Sequence, residues 1–268
     1  MLFRSAGDQP NNAFSLNVLD PGEVAATGGT SGVVYGVTDV PRPDRFSRVN
    51  TFLHVNHEPR RPRYGVLLCI NGTGILNAWV KKTTVPDMSY PEVNRRCAEI
   101  PVGSEGVLML PFGNGAERML GNRYTGAEAI GLDLNRHDRF HLLRAAQEGI
   151  AFAFRYGMDV MRETGLRLRV IRAGYANLFL SPVFRQTLAT LCGADIELYN
   201  TDGALGAARG AALGAGLYAS REETFASLRK IDEVRPDPAD RDVLERGYAR
   251  WKAELENRLG RASHGTSV

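Results

Sequence analysis

No apolar run in this chain is long enough to cross a bilayer, and no early hydrophobic stretch resembles a signal peptide. The sequence therefore predicts neither a membrane span nor a secretory route. Cysteine is scarce: Cys69, Cys97 and Cys192 lie far apart, and no C-x-x-C occurs. That pattern excludes a disulfide framework and predicts reduced thiols in the cytoplasm. Charge of one sign is also lacking. Lys and Arg total 33 against 30 Asp and Glu, a formal net charge of +3, and the arginines are scattered. Nucleic-acid surfaces need a basic stripe or patch, so no nucleic-acid partner is expected. There is no G-x-x-x-x-G-K-[ST], so any phosphate site must be of another kind. There is no G-x-S-x-G, so Ser31 is not expected to be a nucleophile. His54 and His57 have no third partner nearby and read as strand residues rather than metal ligands. No metal-ligand set and no solenoid repeat is apparent.

Against those absences stands an ordinary globular composition over 268 residues, 43% hydrophobic and 24% charged. The stretch Glu23 to Asp39 holds two short apolar runs around Gly28-Gly29-Thr30-Ser31-Gly32. β-branched and aromatic residues flanking a glycine bend predict a β-hairpin. Glycines at the tip let a ligand approach the backbone, and consecutive amides with two hydroxyls can cradle a phosphate oxygen. The same composition also suits a plain glycine-rich turn, and the stretch alone leaves both readings open.

Upstream, Gly7-Asp8 leads into a short helix predicted over residues 11–18, after an abrupt Leu2-Phe3-Arg4 that reads as the middle of a strand. Asp8 is either an N-cap or a carboxylate at the mouth of a cleft, with Gln9 and Asn11 as polar neighbours. Residues 50–57 read as a strand. Residues 64–70 form a continuous apolar run, as expected of a strand buried on both faces, and end in Asn71-Gly72-Thr73-Gly74 before a helix over 75–82. Strand, glycine turn and helix in that order is where α/β proteins bind ligands.

A polar helical stretch follows over 86–100 and a strand over 106–111. Residues 112–125 read as a loop in which Glu117-Arg118 is either an ion pair or part of a cleft. Asp138 is the expected N-cap of the longest helix, 140–163, whose apolar residues cover most faces. A strand over 168–173 ends in Gly174-Tyr175-Ala176-Asn177, and Ser181-Pro182 opens a helix stopped at Gly193. A strand over 196–199 precedes a small-residue helix, 204–218, with Gly206, Gly210 and Gly214 on one face. Three helical glycines cost roughly 3 kcal/mol against alanine, so close approach of another backbone or a ligand is expected there. A charged amphipathic helix is predicted over 239–259, and residues 261–268 as a disordered tail.

These landmarks, in this order, resemble the C-terminal half of the FGGY family of carbohydrate kinases, with its xylulokinase-like members nearest in pattern. The segment Gly131-Leu132-Asp133-Leu134-Asn135-Arg136-His137 through Glu148-Gly149-Ile150-Ala151-Phe152 matches the family's C-terminal signature. Gly115-Ala116-Glu117-Arg118 resembles its Gly-Glu-Arg loop. The resemblance implies an α/β, ribonuclease-H-like (actin-like) fold: a mixed sheet flanked by helices, with ATP in a cleft between two such domains. It implies a nucleotide-binding domain over residues 1–225 with a helical extension over 226–260.

By the same resemblance, Asp8 would be the general base and bind the sugar with Gln9. Gly29 and Thr30 would hold the γ-phosphate, Gly72 would lie near the nucleotide, and Gly174, Ala176 and Asn177 would line the adenosine pocket. Mg²⁺ would accompany ATP. The reaction implied is ATP-dependent phosphorylation of a sugar hydroxyl, D-xylulose before ribulose, gluconate or glycerol. Two departures matter. Ala173-Gly174-Tyr175-Ala176 replaces the usual three glycines and alanine, which places Tyr175 beside the purine contacts. The family's N-terminal domain, with its own phosphate loop, its Mg²⁺-placing Asp and most sugar contacts, is not in this sequence. The isolated chain is therefore expected to bind nucleotide weakly and to turn over little. A different class stays open: a non-catalytic nucleotide-binding or interaction module, or one subunit of a split protein. A homodimer is likewise left open.

Overall fold

The computed structural model describes residues 7–40 and 42–264. The strand expected around Leu2-Phe3-Arg4 and residues 265–268 lie outside them. Helix α1 (Asp8–Ser15) leads to the hairpin β1 (Glu23–Gly28) and β2 (Gly32–Thr38). Next come β3 (Asn50–Leu53), β4 (Tyr64–Ile70), α2 (Gly74–Thr84) and α3 (Tyr90–Glu99). Strands β5 (Leu108–Phe112) and β6 (Gly126–Ile130) pair apart from the main sheet. After α4 (Arg139–Glu163) follow β7 (Val170–Gly174), α5 (Pro182–Cys192), β8 (Asp195–Tyr199) and α6 (Gly203–Gly214). The short α7 (Arg221–Thr224), β9 (Lys230–Val234) and α8 (Pro238–His264) complete the chain.

The main sheet has seven strands in the order β3-β4-β2-β1-β7-β8-β9. β1 pairs parallel with β7 and β7 with β8, whereas β1–β2, β2–β4, β3–β4 and β8–β9 are antiparallel. Strands β4, β1, β7 and β8 consequently run the same way, and their carboxyl ends share one edge. Ligands of open α/β sheets bind at that edge.

Helices cover both faces. Helix α4 is the spine of one, packed with α2, α3 and α5 and buried along most of its length. Asp138 caps it as expected, accepting from the Phe140 and His141 amides in a capping box closed by the His141 side chain. Ser181 caps α5 and accepts from the Phe184 amide, and Gly193 ends that helix in the left-handed region. On the other face α1 lies against α6. A Cβ on Gly206 would stand 1.9 Å from the Asn11 carbonyl oxygen, so only glycine allows that approach. The cost expected for three glycines applies unevenly: Gly210 has ordinary contact with Phe14, and Gly214 faces open space.

Four expectations need correction. Strand β4 is not buried on both faces throughout; Cys69 near its end is exposed. Residues 112–125 are not all loop, because a short 3-10 turn forms over Arg118–Leu120, with β6 directly after. The stretch 226–260 contains strand β9 as well as helix. Residues 261–264 continue α8 rather than starting a disordered tail. That helix is anchored by Trp251, fully buried, whose indole Nε1 donates to the Met109 carbonyl at 2.8 Å.

Candidate active site

The hairpin closes Gly28 onto Gly32, leaving Gly29-Thr30-Ser31 as its tip. The N-terminus of α2 ties that tip down from behind. The Gly74 amide donates to the Gly29 carbonyl at 3.0 Å and the Ile75 amide to the Thr30 carbonyl at 3.1 Å. With both carbonyls turned back into α2, the amides of Gly29, Thr30 and Ser31 donate to no described residue. Adjacent unspent amides on a glycine turn form an anion-binding concavity.

The tip opens onto a cavity of about 510 Å³, a volume suited to a small-molecule ligand. Gly28, Gly29 and Thr30 form one side. The turn after β7 contributes Asn177, Leu178, Leu180 and Ser181. Helix α2 contributes Gly74, Ile75, Asn77 and Ala78, and α3 contributes Tyr90 and Asn94. Asn177 holds φ +52°, a left-handed conformation that Asn adopts more readily than most residues.

The expected site residues therefore separate. Gly29, Thr30 and Asn177 line one cavity. Gly174 and Ala176 build the turn that presents Asn177. A Cβ on Gly174 would lie 2.8 Å from the Thr201 carbonyl, and the Ala176 amide donates to the Gly174 carbonyl. Tyr175 does not line the cavity; its ring is exposed under the Arg185 guanidinium. Gly72 is buried, and a Cβ there would sit 1.7 Å from the Pro111 carbonyl oxygen. Its amide donates to Glu117 Oε1 at 3.0 Å while the Asn71 amide donates to Glu117 Oε2 at 3.0 Å. The Gly72 amide is thus spent within the protein.

Glu117 is fully buried and its carboxyl is pushed above the usual carboxylate range by desolvation, which the two amides partly oppose. Among the described residues it forms no ion pair with Arg118, whose Nε donates to the Ser47 carbonyl. Glu117 pins the turn after β4.

Asp8 and Gln9 do not line the cavity but reach the same sheet edge. Asp8 begins α1, and a Cβ on Gly203, the first residue of α6, would lie 3.9 Å from its carbonyl. The Asp8 carboxylate is exposed and accepts from the Gln9 backbone amide at 2.9 Å and from Gln9 Nε2 at 3.3 Å. Its charge also reaches Cys69 near the end of β4, a residue exposed overall: partial desolvation raises the thiol's pKa most, and the Asp8 and Glu117 carboxylates add to the shift. His54, expected in a strand, follows β3 and has both ring nitrogens engaged, Nδ1 by the Tyr35 hydroxyl at 2.9 Å and Nε2 by the Val18 carbonyl at 3.0 Å.

Sequence reasoning missed Gly74, Asn77 and Asn94. The available signal was a polar Asn77 between the apolar Leu76 and Val80 of one helix. A larger apolar groove of about 620 Å³, lined by Trp79, Tyr124 and Leu132 among others, contains none of the expected site residues.

Comparison with known proteins gives the family and the fold. Residues 24–219 match the model of the FGGY family of carbohydrate kinases, C-terminal domain. The chain is 27% identical over 259 residues to a xylulose kinase of Haemophilus influenzae, covering 93% of this chain and 50% of that protein. It is 28% identical over 226 residues to a xylulose kinase of Bacillus subtilis, covering 83% and 44%. The crystal structure of xylulose kinase from Rhodospirillum rubrum superposes with a TM-score of 0.85 at 25% identity, over 96% of this chain and 51% of that one. The fold is the ribonuclease-H-like one of these kinases, and the chain spans about half the length of the relatives it matches. No helix among the described residues is long and apolar enough to cross a membrane.

Proposed function

The chain belongs to the FGGY family of carbohydrate kinases, as its C-terminal domain, and from that premise we propose that it is the nucleotide-binding half of a cytoplasmic kinase that phosphorylates a pentulose. D-xylulose is the favoured acceptor, because xylulose kinases are prominent among its relatives. One observation carries the reading. The unspent amides of the hairpin tip open onto a ligand-sized cavity at the sheet edge that also bears the exposed Asp8.

The cavity fits ATP in size and in the chemistry of its walls. Gly29 and Thr30 would hold oxygens of the terminal phosphate, and Asn177 with Leu178 would flank the nucleoside. ATP supplies the phosphoryl group when bound. Mg²⁺ would arrive on its phosphates.

Asp8 takes the proton from the attacking sugar hydroxyl, and Gln9, bonded to both of its oxygens, fixes its direction. Positioning two reactants can lower a barrier by about 7–11 kcal/mol, and here the second wall of the cleft belongs to a domain outside this chain. The chain alone is accordingly proposed to bind nucleotide weakly and to turn over little.

The test has two parts. Calorimetry should detect ADP binding to the chain alone, and binding should survive Asp8→Ala. Joined to an N-terminal half, the wild type should release ADP in a D-xylulose-dependent manner and Asp8→Ala should not. Robust sugar-dependent turnover by the chain alone would refute the role given to the absent half, and turnover by the joined Asp8→Ala protein would refute the base.

A further inference from the structure

The start of α2 carries no cap of its own. Thr73, the residue before it, places no side-chain oxygen on a helical amide; its hydroxyl donates backward to the Ile70 carbonyl at 2.9 Å. The first amides of a helix need acceptors from elsewhere. For Gly74 and Ile75 those acceptors are the Gly29 and Thr30 carbonyls. The hairpin tip is therefore the cap of α2, and a shift of the turn that carries the helix start shifts the tip with it.

That turn is held by a group 45 residues away in sequence. Glu117 brings a fully buried carboxylate to the amides of Asn71 and Gly72, one oxygen on each, both at 3.0 Å. Two bonds from adjacent amides fix direction as well as distance, and such charge-assisted bonds are about twice as strong as neutral ones. The side chain springs from a rigid base. The Glu117 amide donates to the Arg123 carbonyl, and its carbonyl accepts from the Leu120 and Asn122 amides. Burying a carboxylate is costly, and the bonds that oppose that cost here are the two turn amides. Asn114, from the same loop, adds a second tie: its Nδ2 donates to the Asn71 carbonyl at 3.0 Å.

We propose that Glu117 is a positioning residue for the phosphate cradle: through residues 71–74 it fixes which way the amides of Gly29, Thr30 and Ser31 point. This rests on the nucleotide reading given above. Glu117 does not line the cavity and acts entirely through backbone. Its influence falls on the phosphate end of the ligand, because Asn177 and Leu178, assigned to the nucleoside, come from the separate turn after β7.

Glu117→Gln keeps the size and shape of the side chain but turns an NH₂ group toward one of the two backbone N–H groups, whose bond is lost. One such lost bond corresponds to about tenfold in affinity, so ADP should bind the full chain about tenfold more weakly. Adenosine, which has no phosphate, should bind as it does to the wild type. Without ligand, the backbone NMR signals of Gly29, Thr30 and Ser31 should move. A merely structural role would weaken both ligands alike and leave their ratio unchanged.

NMR titration of the full chain with ADP and with adenosine, each to millimolar concentration, reads these outcomes for wild type and variant. Selective loss of ADP affinity with displaced tip signals supports the proposal. ADP affinity retained by Glu117→Gln, or tip signals that stay in place, overturns it and leaves the nucleotide site standing. Parallel loss of both ligands also overturns it. No response of the wild type to ADP overturns the nucleotide reading, and this proposal with it. Should Glu117→Gln fail to fold, Asn114→Ala decides, since it loosens the same turn from a half-buried position: a selective but smaller loss of ADP affinity supports the proposal, and unchanged affinity overturns it.

Discussion

The Gly74 amide donates to the Gly29 carbonyl at 3.0 Å, and a Cβ on Gly74 would stand 2.2 Å from that same oxygen. This contact joins the start of α2 to the hairpin tip and leaves the tip amides facing outward. It makes one helix end responsible for the shape of the anion cradle, and the consequences are measurable.

Gly74→Ala should push the tip off α2. Overpacking of a well-packed contact costs about 1–3 kcal/mol, so the chain should melt several degrees lower. ADP affinity should fall more than stability alone explains, because the displaced carbonyls reorient the amides. Calorimetry of the folded variant at low temperature checks this. Unchanged affinity would mean that the tip geometry does not depend on Gly74.

Helix α6 offers an internal control. Gly206→Ala places a methyl 1.9 Å from the Asn11 carbonyl and must displace α1, the helix that begins with Asp8. Gly210→Ala, one turn on, meets only Phe14 ring carbons at 3.8 Å or more and should stabilise by up to about 1 kcal/mol through helix propensity. Opposite signs are expected in urea melts. In the joined two-domain protein, only Gly206→Ala should also lower turnover.

His54 predicts an acid-sensitive fold. Burial is the main cause lowering its pKa from 6.5 to about 4, and the hydrogen bond to the Val18 carbonyl opposes the shift. A base with a depressed folded pKa leaves the unfolded chain holding the extra proton between those values. Stability is therefore fully present above about 6.5 and is lost as pH falls toward 4, by roughly 3 kcal/mol in all. Replacing His54 by Gln should flatten the pH dependence in that window, while lowering stability at pH 7 through the lost Tyr35 contact. Denaturant midpoints at pH 7, 5.5 and 4.5 for both proteins test the slope.

Much of this molecule was legible before any coordinates. The hairpin, the run Tyr64–Ile70, the Asp138 and Ser181 caps and the Gly193 stop rest on local rules, and the structure repeats them within a residue or two. Strand β9 and the β5–β6 pair were harder to see, because Lys230–Val234 and Gly126–Ile130 carry little apolar alternation and are strands chiefly because a neighbour pairs with them. Glu117 shows the same limit. An acid beside an arginine suggests an ion pair, yet its oxygens are taken by two backbone amides 45 and 46 residues away.

The sequence by itself determined the hairpin, the buried run of β4, the capped long helices and, through its ordered motifs, the family, since caps, glycine turns and short motifs act between near neighbours. Only the tertiary structure decided what each polar group faces. It spent the Gly72 amide on Glu117, left the tip amides unspent, and set Asn77 with an unanswered oxygen on a cavity wall. Hydrogen bonds are directional and short-ranged, so whether a donor is free for a ligand depends on what the rest of the chain brings within about 3 Å of it.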